Sequence, residues 1–367
     1  MDPINAATHT DPYPYYASLR AQGGLVFHQE LKLWLASSAR AVCAVLAHAD
    51  CRVRPAQEPV PKAIADGMAG KVFGQLMRMN DGERQRCPRS AIEPALELIN
   101  KAEVRALVAA RLINVDADGL YKAMFRGPVC VVAALLGFTP AQGRAISALT
   151  ADFVACLSPL SNDLQLAAAH AAAEQLRGYF IELLAEADSA LLTEIQRRFE
   201  GDEEALIANL IGLCSQTYEA TAGLIGNALV ALKRQPDLRE APMEAVLAEV
   251  QRFDPSVQNT RRFVAQSCEI EGVRVEAGDV ILLLLASANR DPALNEHPDQ
   301  FLPERPNRRS FSFGSGRHQC PGQILAMEIA SATVREILDH GVNLERLAWH
   351  YRPSLNGRMP MFSFFGD

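Results

Sequence analysis

Phe311-Ser-Phe-Gly-Ser-Gly-Arg-His-Gln-Cys-Pro-Gly322 carries the strongest structural signal in the chain. Its three glycines let the backbone take unusual dihedral angles and approach a flat ligand closely. Its cysteine, Cys320, directly precedes a helical pattern, and the first N–H groups of a helix have no partner inside it. A thiolate that binds iron needs such dipoles and shelter from water, which Phe313 can give. These features suit a thiolate metal ligand, but on their own they leave a glycine-rich turn with a buried structural thiol as a strong alternative.

Length and composition allow a large core, because 49% of the 367 residues are apolar. Length alone favours two domains. No linker rich in proline, glycine or serine, no charge run and no shift in composition divides the sequence. We therefore expect one domain over residues 1–367.

Charge and hydropathy limit the possible partners and the location. The formal net charge is −7, with acidic and basic residues interspersed, so we expect no nucleic-acid partner. No run of about 18 apolar residues is present, so we expect no membrane span. The longest apolar run, Val280 to Ala286, predicts a buried strand. The N-terminus lacks a basic and apolar signal sequence, which favours a cytoplasmic protein.

The cysteines show neither a CxxC pair nor a zinc-like spacing. In a cytosolic chain of this size, a reduced cysteine is usually a small core residue. Only Cys320 has a neighbourhood that argues for another role. The other seven are Cys43, Cys51, Cys87, Cys130, Cys156, Cys214 and Cys268.

Apolar periodicity predicts a mainly α protein with a minor β region in the C-terminal third. Strand patterns occupy residues 24–28, 31–36, 262–270, 273–275 and 280–285, with Gly272 and Gly278 as turn residues. Helical patterns occupy residues 38–47, 92–112, 129–136, 164–185, 205–234, 242–253 and 322–340.

The string FGxGxHxCxG, from Phe313 to Gly322, resembles the haem-binding signature of cytochrome P450s. Glu249-Val-Gln-Arg252 resembles the ExxR pair of that family, for which we expect a bidentate ion pair that fixes the following loop. Three further segments also resemble the family, namely Ala288-Asn-Arg-Asp-Pro292, Phe301-Leu-Pro-Glu-Arg-Pro306 and Asp11-Pro-Tyr-Pro-Tyr15. The resemblance implies the cytochrome P450 fold, a single triangular-prism-like domain that binds haem b, iron protoporphyrin IX.

The same resemblance implies which residues hold the haem. Cys320 is the axial ligand, and Phe313, Gly314 and Gly322 line its loop. Arg262 and His318 correspond to the family's propionate-binding cations; the alternatives are a strand-edge charge and a solvent-exposed histidine.

A third propionate contact is expected from the helix before residue 100. Arg84 stands where the family often has histidine, and Pro88 stands where it has a second basic residue. We choose Arg84 for this contact and expect Arg86 and Arg89 to face solvent. Pro88 should disturb this helix or mark its first turn.

The oxygen-binding helix departs from the family pattern at Gln216-Thr-Tyr-Glu-Ala-Thr221. Glu219 keeps the acid, but Ala220 replaces the threonine whose hydroxyl helps to deliver protons. Gln216 replaces a small residue four positions earlier, on the same helix face. Either the Gln216 amide does this polar work, or Gln216 fills space and substrate or water supplies the proton. Thr217 and Thr221 form a second candidate pair.

Pro321 cannot offer the backbone N–H that normally lies near the sulfur. Fewer donors should lower the reduction potential and strengthen the electron push from the thiolate. The alternative is that Pro321 only starts the helix.

The resemblance implies a monomeric monooxygenase that oxidises a small organic substrate with O2. Family habit suggests the tailoring of secondary metabolites. Electrons would come from a ferredoxin or flavodoxin with its reductase, for which Arg308, Arg309 and Arg317 could form a docking patch or be ordinary surface charge. The alternatives are a P450 that uses peroxide or performs coupling or desaturation, and a haem-binding protein without turnover.

Overall fold

Helices form most of the computed structural model, which describes residues 1–110, 116–186 and 189–365. The predicted fold class, mainly α with a minor β region, is confirmed. The helices described are α1 (Tyr13–Arg20), α2 (Ala39–Ala47), α3 (Met68–Gln75), α4 (Glu83–Glu97), α5 (Lys101–Ala109), α6 (Ala117–Tyr121), α7 (Gly127–Leu136), α8 (Pro140–Phe153), α9 (Asp163–Glu186), α10 (Ala190–Arg198), α11 (Glu203–Arg234), α12 (Met243–Phe253), α13 (Leu285–Asn289) and α14 (Gln323–Asp339). The strands described are β1 (Leu25–His28), β2 (Leu33–Ala36), β3 (Cys51–Arg52), β4 (Thr260–Val264), β5 (Cys268–Ile270), β6 (Val273–Val275), β7 (Val280–Leu283), β8 (Leu347–Tyr351) and β9 (Pro360–Phe364).

The described residues form two compact units, each built from separate segments of the chain. The strand unit contains Met1–Ala56, Gly223–Cys320 and the residues from Asn343 onward. The helix unit contains Gln57–Ala222 and Pro321–Val342. Helix α11 passes from the helix unit into the strand unit after Ala222. The single-domain interpretation remains a prediction.

A five-stranded sheet in the order β1-β2-β7-β4-β3 forms the centre of the strand unit. Strand β7 pairs in parallel with β2 and antiparallel with β4. One face of the sheet packs against α1 through Leu35 and Leu282, and the other packs against α2 through Ile281 and Leu283. Burial on both faces explains why the β7 sequence is an unbroken apolar run.

Two predicted elements are divided in the structure. The pattern over 92–112 predicts one helix, but α4 ends at Glu97 and α5 begins after Asn100, whose side chain accepts a hydrogen bond from the Ala102 N–H at 2.9 Å. The Asn100 cap starts a new helix at this point, although the apolar periodicity of the sequence continues through it. The end of that prediction, Leu112, lies outside the described residues. The predicted strand over 262–270 is split into β4 and β5, because the chain turns where the Ala265 N–H binds the Asp50 carbonyl at 2.8 Å.

Capping side chains explain where two further helices begin. Ser38 lies just before α2 and accepts a hydrogen bond from the Ala41 N–H, so the predicted start at residue 38 is the N-cap. Thr139 and Gln142 form a capping box that begins α8, a helix that the periodicity analysis missed. Gly272 and Gly278 have φ of 77° and 95°, which suits their predicted place in turns.

The helical run Ala117–Leu136 is long and apolar enough to cross a bilayer, although no such run is expected from the sequence. It joins α6, a π-helical turn and α7. In the protein 61% of its most apolar window is buried. Core helices of soluble proteins have the same composition, so the run is weak evidence for a membrane span.

Candidate active site

The Cys320 segment forms a closed loop before α14. The Cys320 N–H donates to the Phe313 carbonyl at 2.7 Å, and inside this closure the Gln319 N–H donates to the Gly316 carbonyl at 3.0 Å. Gly314 has φ of 72°, and a Cβ built on it would lie 3.1 Å from the His318 carbonyl oxygen. The loop therefore requires glycine at position 314. Phe313 and Cys320 are both half-buried.

The backbone angle of Gly322 and the position of Pro321 relative to α14 both differ from what the sequence predicts. Gly322 is the N-cap of α14 with φ of −89°, which any residue can adopt, so its glycine is not explained by an unusual dihedral angle. Pro321 comes before this N-cap and not in the first turn, where proline favours helix starts. The view that Pro321 only starts the helix is therefore weakened.

The base of the loop is anchored by a buried asparagine that the sequence does not single out. Asn289 accepts a hydrogen bond from the Phe311 N–H at 2.7 Å and donates to the Ser312 hydroxyl at 2.8 Å. The Ser310 hydroxyl lies 3.4 Å from the Gln251 carbonyl of α12, and the Ser312 hydroxyl also donates to it. These bonds tie the start of the Cys loop to the helix that carries the ExxR pair.

Glu249 of that pair is fully buried and binds three arginines. Its Oε1 accepts from Arg252 at 2.6 Å and from Arg305 at 3.0 Å, and its Oε2 accepts from Arg308 at 2.9 Å. The Leu302 N–H adds a fourth bond at 3.1 Å. Burial acts to raise the pKa of Glu249, but the hydrogen bonds and charge of the arginines, with the Leu302 N–H, outweigh it and hold the pKa below its ordinary value.

Arg252 binds Glu249 through one nitrogen, so the expected bidentate contact is wrong. Its other contacts are to backbone carbonyls, at 2.8 Å to Pro298, 3.1 Å to Gln300 and 3.3 Å to Asn289. An arginine offers five N–H donors, and the loop carbonyls compete for them. The pair nonetheless holds the segment that follows, as expected.

The three arginines proposed for docking differ in their surroundings. Arg308 binds Glu249 and the Pro303 carbonyl. Arg317 donates to backbone carbonyls of residues 48–51. Arg309 is exposed. Of the three, Arg309 presents its side chain to solvent without a described internal role.

The strand unit contains two of the three candidate propionate contacts. Arg262 lies on β4 opposite Ile281, is 7% exposed, and donates to the Arg261 carbonyl at 2.8 Å. His318 lies half-buried in the short turn before Cys320. One thiol, two basic side chains and a glycine that permits close backbone approach suit an iron porphyrin with two propionates.

The third candidate, Arg84, lies exposed in the first turn of α4 in the helix unit. Arg86 is exposed and pairs with Glu83, as expected, but Arg89 is partly buried against Glu93. Pro88 lies inside α4, which continues through it, and does not mark the first turn.

Helix α11 carries a half-buried face within a mostly buried helix. Between Leu206 and Val230, the half-buried positions are Leu213, Gln216, Thr217, Glu219 and Ala220, and positions 213, 216, 217 and 220 share one face. The chain is otherwise buried from Leu206 to Val230. The departures at positions 216 and 220 therefore lie on the accessible side of the helix. Thr221, one turn after Thr217, is buried at 2% exposure.

Two contacts distinguish Gln216 from Thr217 as candidates for proton delivery. The Thr217 hydroxyl donates to the Leu213 carbonyl at 2.8 Å, so it serves its own helix. The Gln216 amide nitrogen lies 3.4 Å from where a Gly212 Cβ would be. This is an ordinary contact distance, so the amide lies beside the backbone of Gly212, one turn earlier in the helix, and Leu76 is the closer neighbour of that Cβ position at 3.0 Å.

Comparisons with known proteins agree with this geometry. The cytochrome P450 family model matches residues 231–340. Cytochrome P450 133B1 of Xylella fastidiosa is 34% identical over 77% of this chain and 74% of its own length. The biotin biosynthesis cytochrome P450 of Bacillus subtilis is 25% identical over 94% of this chain and 93% of its own. The crystal structure of P450BioI with an acyl carrier protein superposes with a TM-score of 0.81 at 23% identity, covering 96% of this chain and 98% of that chain. The chain therefore belongs to the cytochrome P450 family and is a P450 monooxygenase.

Proposed function

We propose that this protein binds haem b through Cys320 and oxidises a small organic substrate with O2 and external electrons. The observation that carries the proposal is the closed Cys loop, with its half-buried thiol and left-handed Gly314. Haem, when bound by a thiolate, supplies the oxygen chemistry. The protein would supply the Cys320 thiolate as a ligand, orient the substrate and exclude water.

Each candidate residue has one role in this proposal. Cys320 would bind the iron, and Phe313 would cover the sulfur. Arg262, His318 and Arg84 would pair with the propionates, while Gly314 and Gly322 would let the backbone approach the ring. The position of Arg262 on β4, in the same compact unit as Cys320 and His318, supports its role most.

Proton delivery would depend on Glu219 and Gln216, since Ala220 has no hydroxyl. Both side chains lie on half-buried positions of α11. The back-bonded hydroxyl of Thr217 favours Gln216 over the threonine pair, and the burial of Thr221 leaves it a supporting role in packing. An amide can donate and accept, so it can hold a proton-carrying water without itself changing protonation state.

Electrons would come from a ferredoxin or flavodoxin and its reductase. Either would be an acidic partner, and Arg309 is an exposed arginine near the Cys loop, as is Arg317, whose side chain donates to the His48 carbonyl. We also propose that the protein acts as a cytoplasmic monomer.

The names of several relatives support a role in biosynthetic tailoring, with a small biosynthetic intermediate as the substrate. They include a biotin biosynthesis P450, a vitamin D3 25-hydroxylase of Pseudonocardia autotrophica that is 33% identical over 70% of this chain, and a P450 bound to an intermediate of aurachin RE. In this chain, residues 52–79, 153–177 and 257–260 would select the substrate.

Turnover with two oxidant systems tests the proposal. We expect product with NADH and surrogate redox partners, and shifts of the haem absorption band when substrate-like compounds are screened. Product with hydrogen peroxide alone would favour the peroxide-using alternative. Haem binding without any turnover across the compounds that shift the band would support a non-catalytic haem protein.

A further inference from the structure

Arg317 occupies the tip of the Cys loop and reaches outside it. It lies in the short helical turn Gly316–His318, three residues before Cys320. Its Nη2 donates to the carbonyl oxygens of His48 at 2.8 Å, Cys51 at 3.3 Å and Ala49 at 3.4 Å. Asn289 separately holds the base of the loop at Phe311 and Ser312, so the loop is attached at its base and at its tip.

The turn that receives Arg317 is suited to a cation. His48 is the C-cap of α2, and the last carbonyls of a helix lack partners inside it and carry partial negative charge. All three contacts come from the single nitrogen Nη2, whose two N–H groups are shared among the carbonyls, so the positive charge of the side chain lies against the negative end of the α2 dipole.

The same turn is joined to the strand that carries Arg262. Cys51 pairs with Val264 of β4, and Arg52 pairs with Phe263, the neighbour of Arg262. The Asp50 carbonyl also accepts the Ala265 N–H at 2.8 Å. A continuous set of bonds within the strand unit therefore runs from the Cys loop, through Arg317 and β3, to β4.

We propose that Arg317 is a positioning residue for the haem site. It fixes the tip of the loop, and with it His318 and Cys320, relative to Arg262 on β4. The inference rests on the proposed haem-thiolate function. It gives Arg317, although the residue is exposed, the role of bracing the loop in place of docking an electron donor.

The test compares Arg317→Ala and Arg317→Lys with two control arginines in purified, haem-loaded protein. Arg274→Ala removes an exposed arginine of β6 that pairs with Glu276, and Arg309→Ala removes the candidate docking side chain. The readouts are the ferrous–CO absorption during mild warming, the reduction potential of the iron, and the KM for a surrogate ferredoxin.

We expect Arg317→Ala to raise several-fold the fraction of the CO complex that lacks the thiolate absorption band, and to shift the reduction potential. Arg317→Lys should restore part of the band, and Arg274→Ala should match wild type. If circular dichroism shows that Arg317→Ala does not fold, the Arg317→Lys variant alone tests the proposal. The intensity of its thiolate band must then lie between that of wild type and complete loss.

An unchanged band and potential in the folded Arg317 variants would overturn the inference. A raised KM for ferredoxin with an unchanged band would also overturn it and would assign Arg317 to docking, as we expect for Arg309→Ala. If wild-type protein itself lacks the thiolate band, the proposed function fails, and this outcome is distinct from failure of the Arg317 variants.

Discussion

At the scale of single residues, the accessible face of α11 holds the main chemical departure from the family pattern. Ala220 has no hydroxyl, and Gln216 lies on the same face with its amide above Gly212. Sequence reasoning identified both positions from the motif. It could not choose between Gln216 and Thr217, because the hydrogen bond from Thr217 to the Leu213 carbonyl depends on the side-chain rotamer.

Gln216→Ala should uncouple oxygen use from product formation. Loss of one hydrogen bond of about 1 kcal/mol would change the partition between product and peroxide about fivefold. The measurement is hydrogen peroxide formed per NADH consumed. Thr217→Val is the matched control and should couple like wild type, since that hydroxyl bonds to its own helix. If the Gln216 variant forms no more peroxide per NADH than wild type, the Gln216 amide is not required, and substrate or water must supply the proton.

Pro321→Leu should raise the reduction potential of the bound iron. Leucine restores a backbone N–H after Cys320, and a donor near the sulfur withdraws electron density from the thiolate. A spectroelectrochemical titration of both proteins measures the difference. An unchanged potential would show that Pro321 has no electronic role.

At the scale of elements, the buried carboxylate of Glu249 joins α12 to the segment from Leu302 to Arg308. The ExxR motif identified Glu249 and Arg252 from the sequence, but not Arg308, which lies 59 residues from its partner. Motifs reveal neighbours along a helix, whereas pairs this distant depend on how the chain folds back.

Glu249→Gln should lower the free energy of unfolding by about 3–5 kcal/mol, because it leaves three arginines without their buried anion. Urea unfolding monitored by circular dichroism measures this change. Glu83→Gln removes an exposed partner of Arg86 and should unfold like wild type. A Glu249 variant as stable as this control would contradict the structural role.

The stability contributed by Glu249 should depend on pH in a defined direction. Its folded pKa lies below the ordinary value of 4.5, so the contribution is complete above that value and declines as pH falls towards the folded pKa. The difference in unfolding free energy between wild type and Glu249→Gln should therefore shrink on acidification below about pH 4.5. A difference that grows at low pH would contradict the assigned direction.

At the scale of the whole molecule, α11 belongs to both compact units, and each unit is assembled from separate segments. The sequence predicted the fold class because long amphipathic patterns and the Cys loop are local signals. It did not predict α8, which begins at a capping box, or the two anchors of the Cys loop, Asn289 and the turn at His48. Those anchors join distant parts of the chain.

A single domain should unfold in one thermal step. Because α11 continues from one unit into the other, melting of either unit would break that helix. Differential scanning calorimetry of the haem-loaded protein should show one transition whose calorimetric and van't Hoff enthalpies agree. Two separable transitions would instead indicate independent domains.

The ferrous–CO absorption spectrum of the purified, haem-loaded protein tests thiolate ligation most directly. We expect the long-wavelength band that a cysteine thiolate gives to the CO complex, and we expect Cys320→Ser to lose it while Cys214→Ser, a buried core thiol, keeps it. A wild-type spectrum without that band, or a Cys320→Ser variant that retains it, would contradict ligation of the iron by Cys320.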